Sequence, residues 1–317
     1  MAVSSMMGQM SIKKLLVAMF LLGGYVEAAE YPLPAGNDAV VGEVTYVTTR
    51  YEDTLLDIGR KYSIGYEEMV AANPGVDPWV PGADKRIMIP SRYILPDAPR
   101  VGIVINVSEH RIYYYPKPAP GKTEATVQTY PVSIGKMDWK TPLGQTRIAD
   151  KRMNPTWYPP ASVRQEHAAR GDYLPAAVKP GKDNPLGEFA MRLAIPGGAY
   201  LIHGTNKPTA IGMDVTHGCI RMFPEDIEHF FKEVPVGTPV LIIDQPYKMG
   251  WSGEELYMEV HSPLEGGEVK WDQSLTNITR MFVAATRERP ASLDWQDAEG
   301  VFQRNLGVPS AVKVVRQ

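Results

Sequence analysis

Only one cysteine, Cys219, occurs in the 317 residues, so no disulfide can form within the chain. The formal net charge is only -3, with no excess of basic residues. Non-specific binding to nucleic acid therefore has no electrostatic support. Long apolar runs are missing too. After the first thirty residues no segment approaches the roughly 20 apolar residues that a membrane-spanning helix needs. Stretches with helical apolar periodicity are few. What is plentiful is Gly and Pro, 28 of each. Short apolar runs separated by such residues predict a β-rich, loop-rich fold.

Lys13 and Lys14 precede an apolar run from Leu15 to Leu22, and small residues follow at Val26, Ala28 and Ala29. This order of positive, apolar and small segments reads as a cleavable export signal over residues 1–28. It contains no Cys to acylate, which excludes a lipoprotein anchor. The expected location is outside the cytoplasm. An unpaired Cys in an oxidising compartment is a liability unless its chemistry is used.

Residues 30–41 read as an extended lead-in. Residues 42–92 read as a small βααβ unit. A strand from Glu43 to Thr48 comes first, and a helix then starts at the capping pair Asp53 and Thr54. Leu55, Ile58 and Tyr62 share one face of that helix. A second helix, Tyr66 to Ala72, turns Met69 and Val70 inward and stops at Asn73-Pro74-Gly75. Arg86 to Pro90 closes the unit as a strand.

From residue 98 to 244 strands dominate. Val101–Val107 and Ile112–Tyr115 form a hairpin. Val127–Ile134, Gly144–Ala149, Gly187–Leu193, Tyr200–His203 and Val240–Asp244 follow. One helix begins at Pro224, with Ile227, Phe230, Phe231 and Val234 as its apolar stripe. The expected core is a β-sandwich or barrel-like sheet. Residues 245–317 mix a strand, Leu256–Val260, with helices near Leu275–Arg287 and Trp295–Asn305. They predict an α/β C-terminal subdomain packed on the central one. His110 falls in the hairpin turn and is expected at the surface. Tyr113, Tyr114 and Tyr115 are expected to pack in the sheet.

The chemistry concentrates in Ile202-His203-Gly204-Thr205 and in Val215-Thr216-His217-Gly218-Cys219-Ile220-Arg221-Met222. A thiol reacts as thiolate, and a neighbouring imidazole can take its proton. Gly204 and Gly218 permit tight turns and can aim backbone N–H groups at an oxyanion. One Cys and two His lack a well-spaced fourth ligand for a structural zinc, although Asp214 could be recruited; no metal is expected.

These segments resemble the signature of the YkuD-type L,D-transpeptidases: His, a spacer, then Ser/Thr-His-Gly-Cys with a nearby Arg. The resemblance spans residues 100–244, and the whole chain looks like the ErfK/YbiS group of periplasmic enzymes. It implies that Cys219 is the nucleophile and His203 the base, with the His203 ring held by a main-chain carbonyl such as that of Gly204. It also implies that His217 and Thr216 line the site, that Gly218 and Cys219 supply the oxyanion amides, and that Arg221 braces the loop or meets a carboxylate. The substrates so implied are peptidoglycan stem peptides, cleaved after the third residue with loss of D-alanine. No cofactor is needed, because the D-alanine bond supplies the acyl donor. The acceptor is implied to be the murein lipoprotein lysine or a second stem. Water as acceptor would make the enzyme an L,D-carboxypeptidase or amidase, and a dead enzyme would be a glycan-binding scaffold. The acceptor channel is expected between the insertion Arg152–Asp183 and the tail after Pro246.

The 42–92 unit is similar to a LysM module at Tyr46-Val47, Asp53-Thr54-Leu55, Tyr62, Ala72-Asn73-Pro74 and Ile87-Met88-Ile89-Pro90. Glu52 stands where that family usually has Gly. The resemblance implies glycan binding near Asp53, Thr54, Asn73 and Pro74. It further suggests a tether whose removal leaves turnover of a small soluble stem unchanged.

Overall fold

The computed structural model describes residues 29–316 except 119–120, 122, 137–139, 198–199 and 265–274. The expected export signal lies outside the described residues. The lead-in contributes β1 (Ala29–Pro32) and β2 (Val40–Gly42). Then come β3 (Thr45–Thr48), α1 (Leu55–Lys61), α2 (Tyr66–Ala72) and β4 (Arg86–Ile89), in the expected βααβ order, and β5 (Arg92–Ile94). The Thr54 hydroxyl caps α1, accepting from the Asp57 amide at 3.0 Å.

The central region runs β6 (Gly102–Asn106), β7 (Arg111–Tyr115), β8 (Thr126–Pro131), β9 (Ile134–Gly135), β10 (Gly144–Met153) and α3 (Ala161–Ala169). It continues with β11 (Phe189–Leu193), β12 (Leu201–His203), β13 (Asp214–Thr216), β14 (Ile220–Arg221), α4 (Pro224–Glu233) and β15 (Pro239–Ile243). Nine strands join in one curled sheet in the order β1-β8-β7-β6-β15-β10-β11-β12-β14. β15 is the late strand in the middle, parallel to β6 and antiparallel to β10. The fold is mainly β, as the composition implied. The expected strand from Val127 to Ile134 is broken after Pro131, because Ser133 leaves β8 to bridge Arg221.

Strand periodicity explains why residues 103–105 of β6 and 112–115 of β7 are apolar without alternation: both faces are covered. Ile103, Ile105, Ile112 and Tyr114 face one core with Ile202, Ile220 and the α4 residues Ile227 and Phe230. Val104, Tyr113 and Tyr115 face the other way, into a core shared with Leu55, Ile58, Ile64, Met69, Ile87 and Ile89. The βααβ unit is therefore one layer of a sandwich. Each of those apolar side chains contributes about 1.5–3 kcal/mol by burial. Deleting residues 42–92 would strip that face of the sheet, so the expectation of a freely removable tether does not hold.

Polar contacts fix the same interface. Arg111, 1% exposed, donates from Nε and Nη2 to the two Glu68 oxygens, both at 2.8 Å. It also donates to Thr129 Oγ1 at 2.6 Å and lies 4.3 Å from the Tyr93 ring centroid. Burial alone would push its pKa down, but the Glu68 carboxylate holds it above the usual guanidinium value. At the start of α2, the Tyr66 amide donates to Ile211 O at 2.9 Å. Ser63 Oγ donates to Asp226 Oδ2 at 2.9 Å.

Asp226 is buried, and desolvation, aided by Glu225, pushes its pKa up from 3.8 to about 7. A carboxyl whose folded pKa is raised contributes stability that is complete below its unfolded pKa and is lost as pH rises to the folded one. The loss here falls between about pH 4 and pH 7. Asp226→Asn keeps an acceptor for Ser63 and carries no charge. Its denaturation midpoint should match the wild type at pH 4 and exceed it at pH 8; equal midpoints at both pH values would contradict this account.

After β15 come β16 (Tyr247–Ser252), β17 (Glu255–Val260), α5 (Leu275–Ala285), β18 (Ala291–Leu293), α6 (Trp295–Arg304), β19 (Ser310–Val312) and β20 (Val314–Arg316). β16, β17 and β19 form a sheet whose core includes Ile278 of α5 and Val301 and Phe302 of α6. The buried Lys248 ammonium pairs with Glu259 of the neighbouring β17 at 3.0 Å and ties this part to Glu109 and to the Ile94 carbonyl. It thus rests on β5 as well as on the central region.

His110 is not at the surface. It adopts a left-handed backbone (φ 54°), is 7% exposed and contacts Asp214 Oδ1 through Nε2 at 2.8 Å. The 3-10 turn Val107–Glu109 rolls the ring beneath the segment that carries Asp214.

Candidate active site

β12 and β14 are parallel neighbours with Ile202 opposite Ile220 and His203 opposite Arg221. Ile202 and Ile220 both point into the core. Alternation then puts His203, one step after Ile202, and Cys219, one step before Ile220, on the opposite face, staggered along the strands because Arg221 is the residue paired with His203. Sixteen residues apart in the sequence, they are brought to one face by the parallel pairing.

His203 is 3% exposed, and its Nδ1 lies 2.6 Å from Gly204 O. A carbonyl only accepts, so Nδ1 carries the proton and Nε2 is left as the acceptor. Burial, then the nearby Arg221 charge, push the imidazolium pKa down to about 3, against the hydrogen bonds to Gly204 and Leu186. His203 therefore rests neutral. Burial pushes the Cys219 thiol up, while the Leu201 main chain and Arg221 act in the other direction. Both groups therefore rest neutral, a thiol and an imidazole on one face.

A Cβ at Gly204 would be tightly packed, 3.2 Å from Ile227 Cγ2 and 3.3 Å from Leu186 O. Gly218 has φ +93°, a conformation that suits glycine. Thr216 Oγ1 donates to Cys219 O at 2.5 Å, and Thr141 Oγ1 to Gly218 O at 3.3 Å. These bonds fix both peptide planes of the turn. Arg221 is half-buried and its Nε makes no hydrogen bond to the protein.

His217 meets a partner that sequence reasoning missed. Its Nε2 is 2.7 Å from Glu166 Oε2 on α3. Glu166 also accepts from Lys136 Nζ at 3.2 Å and Arg170 Nη2 at 2.7 Å. Hydrogen bonds from His217 and Lys136 pull the Glu166 pKa down to about 2. No spacing rule links residues 51 apart, so this contact left no sequence signal.

The four residues expected to meet glycan lie elsewhere, on the βααβ unit. Asp53 accepts from the Arg50 amide at 2.7 Å, and Thr54 caps α1. Asn73 is buried and bridges Met69 O at 2.9 Å to Met88, whose amide it accepts at 2.7 Å. Pro74 is exposed. Among the described residues, the group able to gather metal-ligating atoms is Glu109, Glu259 and His261. The Lys248 ammonium already supplies positive charge there, and the group includes neither Cys219 nor His203.

Residues 100–242 match the YkuD family, described as the L,D-transpeptidase catalytic domain. The chain is 42% identical over 292 residues to "Probable L,D-transpeptidase YcfS" of Escherichia coli K12, across 90% of this chain and 89% of that protein. It is 39% identical over 308 residues to "Probable L,D-transpeptidase YbiS" of the same strain, across 95% and 98%. Among solved structures, L,D-transpeptidase 3 from Mycobacterium tuberculosis aligns with 66% of this chain and 93% of its own, at 18% identity and a TM-score of 0.32. With relatives this similar along almost its whole length, the chain belongs to the L,D-transpeptidase family.

Proposed function

We propose that the chain is a cysteine-dependent acyltransferase of the cell wall, with Cys219 as nucleophile and His203 as base. The observation that carries this reading is the shared face of the Cys219 thiol and the His203 ring, whose Nδ1–H is locked on Gly204 O. His203 Nε2 takes the thiol proton as Cys219 Sγ attacks the carbonyl of the third stem residue. The oxyanion meets the amides of Gly218 and Cys219. A trans peptide points its N–H away from its C=O. Thr141, by holding Gly218 O, therefore aims the Cys219 amide to the other side. The proton passes from His203 to the departing D-alanine amine, leaving a thioester on Cys219. An amine acceptor then attacks the thioester, and the thiol leaves.

The acceptor we favour is the C-terminal lysine of the murein lipoprotein, reached in the periplasm after removal of residues 1–28. The βααβ unit serves as a LysM-like contact to glycan strands, and its exposed Trp79 and Tyr51 suit stacking on sugar. The decisive experiment supplies a disaccharide-tetrapeptide, with and without a lysine-ended lipoprotein peptide, and reads the products by mass spectrometry. A lysine-linked conjugate with released D-alanine supports the reading. Stem-to-stem dimers alone replace the acceptor, and free tripeptide alone makes the enzyme a hydrolase.

A further inference from the structure

The helix that delivers Glu166 is weakly held. Of its nine residues, Ala161–Ala169, only Val163 is buried. The Glu166 carboxylate ties it to the segments around Lys136 and His217. That carboxylate is gripped by two groups that do not belong to α3. His217 Nε2 donates to Oε2 at 2.7 Å, and Lys136 Nζ donates to Oε1 at 3.2 Å. Arg170, one turn along the same helix, closes on Oε1 at 2.7 Å. Both outside donors are fixed by the nucleophile segment. Lys136 follows β9, and its amide donates to Thr216 O at 3.1 Å. His217 is two residues before Cys219.

We propose that Lys136 and His217 form a seat for a peptide carboxylate beside Cys219, and that Glu166 fills this seat in the free enzyme. Two donors from the rigid side already bind a carboxylate with charge-assisted geometry. The group they bind is borne on a helix with little apolar anchorage, so an incoming carboxylate can displace it at small cost. The identity of the ligand, a stem-peptide carboxylate, rests on the acyl-transfer reading above. The seat itself does not.

A purely positioning role for Glu166 makes a different prediction, and alkylation of the single cysteine separates the two. Iodoacetate and iodoacetamide react alike: the Cys219 sulfur–carbon bond forms, the carbon–iodine bond breaks, iodide leaves with the electron pair, and the thiol proton goes to buffer. Only iodoacetate carries a carboxylate. In Glu166→Ala the iodoacetate rate should rise several-fold relative to the iodoacetamide rate and saturate with reagent concentration. In Glu166→Ala/Lys136→Met the saturation should vanish and the ratio should fall back. A linear iodoacetate dependence in Glu166→Ala would show mere removal of a repelling charge and would overturn the seat. Equal slowing of both reagents would show that Glu166 only positions His217, which also overturns it. If the reagents behave as expected but no stem peptide is turned over, the seat stands and the acyl-transfer reading falls. With an active enzyme, Glu166→Ala should lower KM for the tetrapeptide. Capping each substrate carboxylate as its amide, in turn, should abolish that gain for one of them.

Discussion

Cys219→Ala should lower acyl transfer by a factor on the order of 10⁴ or more, the scale of losing a covalent nucleophile. Its fold should be unchanged, because an alanine methyl fits where the thiol packs and Ile220, not Cys219, faces the core. Intact-mass spectra of the wild type with tetrapeptide should show an adduct that the variant lacks; an adduct on the variant would move the nucleophile elsewhere. His203→Ala should approach the same loss. The electrostatics add a pH signature. The His203 pKa is held near 3, so the free enzyme should show no acid limb from this base between about pH 5 and 7. The thiol is pushed up by burial, so alkylation of Cys219 by iodoacetamide should keep rising through pH 8. A plateau already reached at pH 6 would mean a resting thiolate–imidazolium pair and would contradict the neutral pair described above.

Glu68→Ala should be the most damaging substitution for stability. It leaves the Arg111 guanidinium buried without its carboxylate partner. Breaking a buried ion pair from one side costs about 3–5 kcal/mol. The loss should appear as a fall in the thermal midpoint and as faster hydrogen exchange in α2 and β7, the elements that carry the broken pair. The double variant Glu68→Leu/Arg111→Met should recover most of it, because apolar side chains of similar volume can replace a buried pair. If the single variant is as stable as the wild type, the Arg111 pair does not hold the βααβ unit to the sheet.

Local chemistry made much of this architecture readable. Thr54 and Pro224 mark helix starts through capping and a fixed φ, and both marked them correctly. The alternation in β6 and β7 was invisible as alternation, since Ile103, Val104 and Ile105 are all apolar; both faces of those strands are covered. That hid the shared core and made residues 42–92 look separable. His203 and Cys219 could be singled out by residue type, but the face they share depends on a parallel register that no local pattern encodes. His110 and Glu166 were misplaced or missed for the same reason. Their partners, Asp214 and His217, lie 104 and 51 residues away, and only the closed chain brings them together.

The place of β15 governs when this chain can fold. Strands β1, β8, β7 and β6 form one half-sheet, and β10, β11, β12 and β14 form the other; β15 is the strand that joins them. Until Pro239–Ile243 has emerged, β6 and β10 each present an unpaired edge, and β6 carries Ile103 and Ile105. Exposed apolar edges invite pairing between chains. Closure also requires a long loop, since β6 must wait for a parallel partner more than a hundred residues downstream. The half-sheet bearing His203 and the half-sheet packed on the βααβ unit thus come together in a single late step. A chain halted before Pro239 holds His203 and Cys219 yet lacks the strand that completes the sheet beneath them.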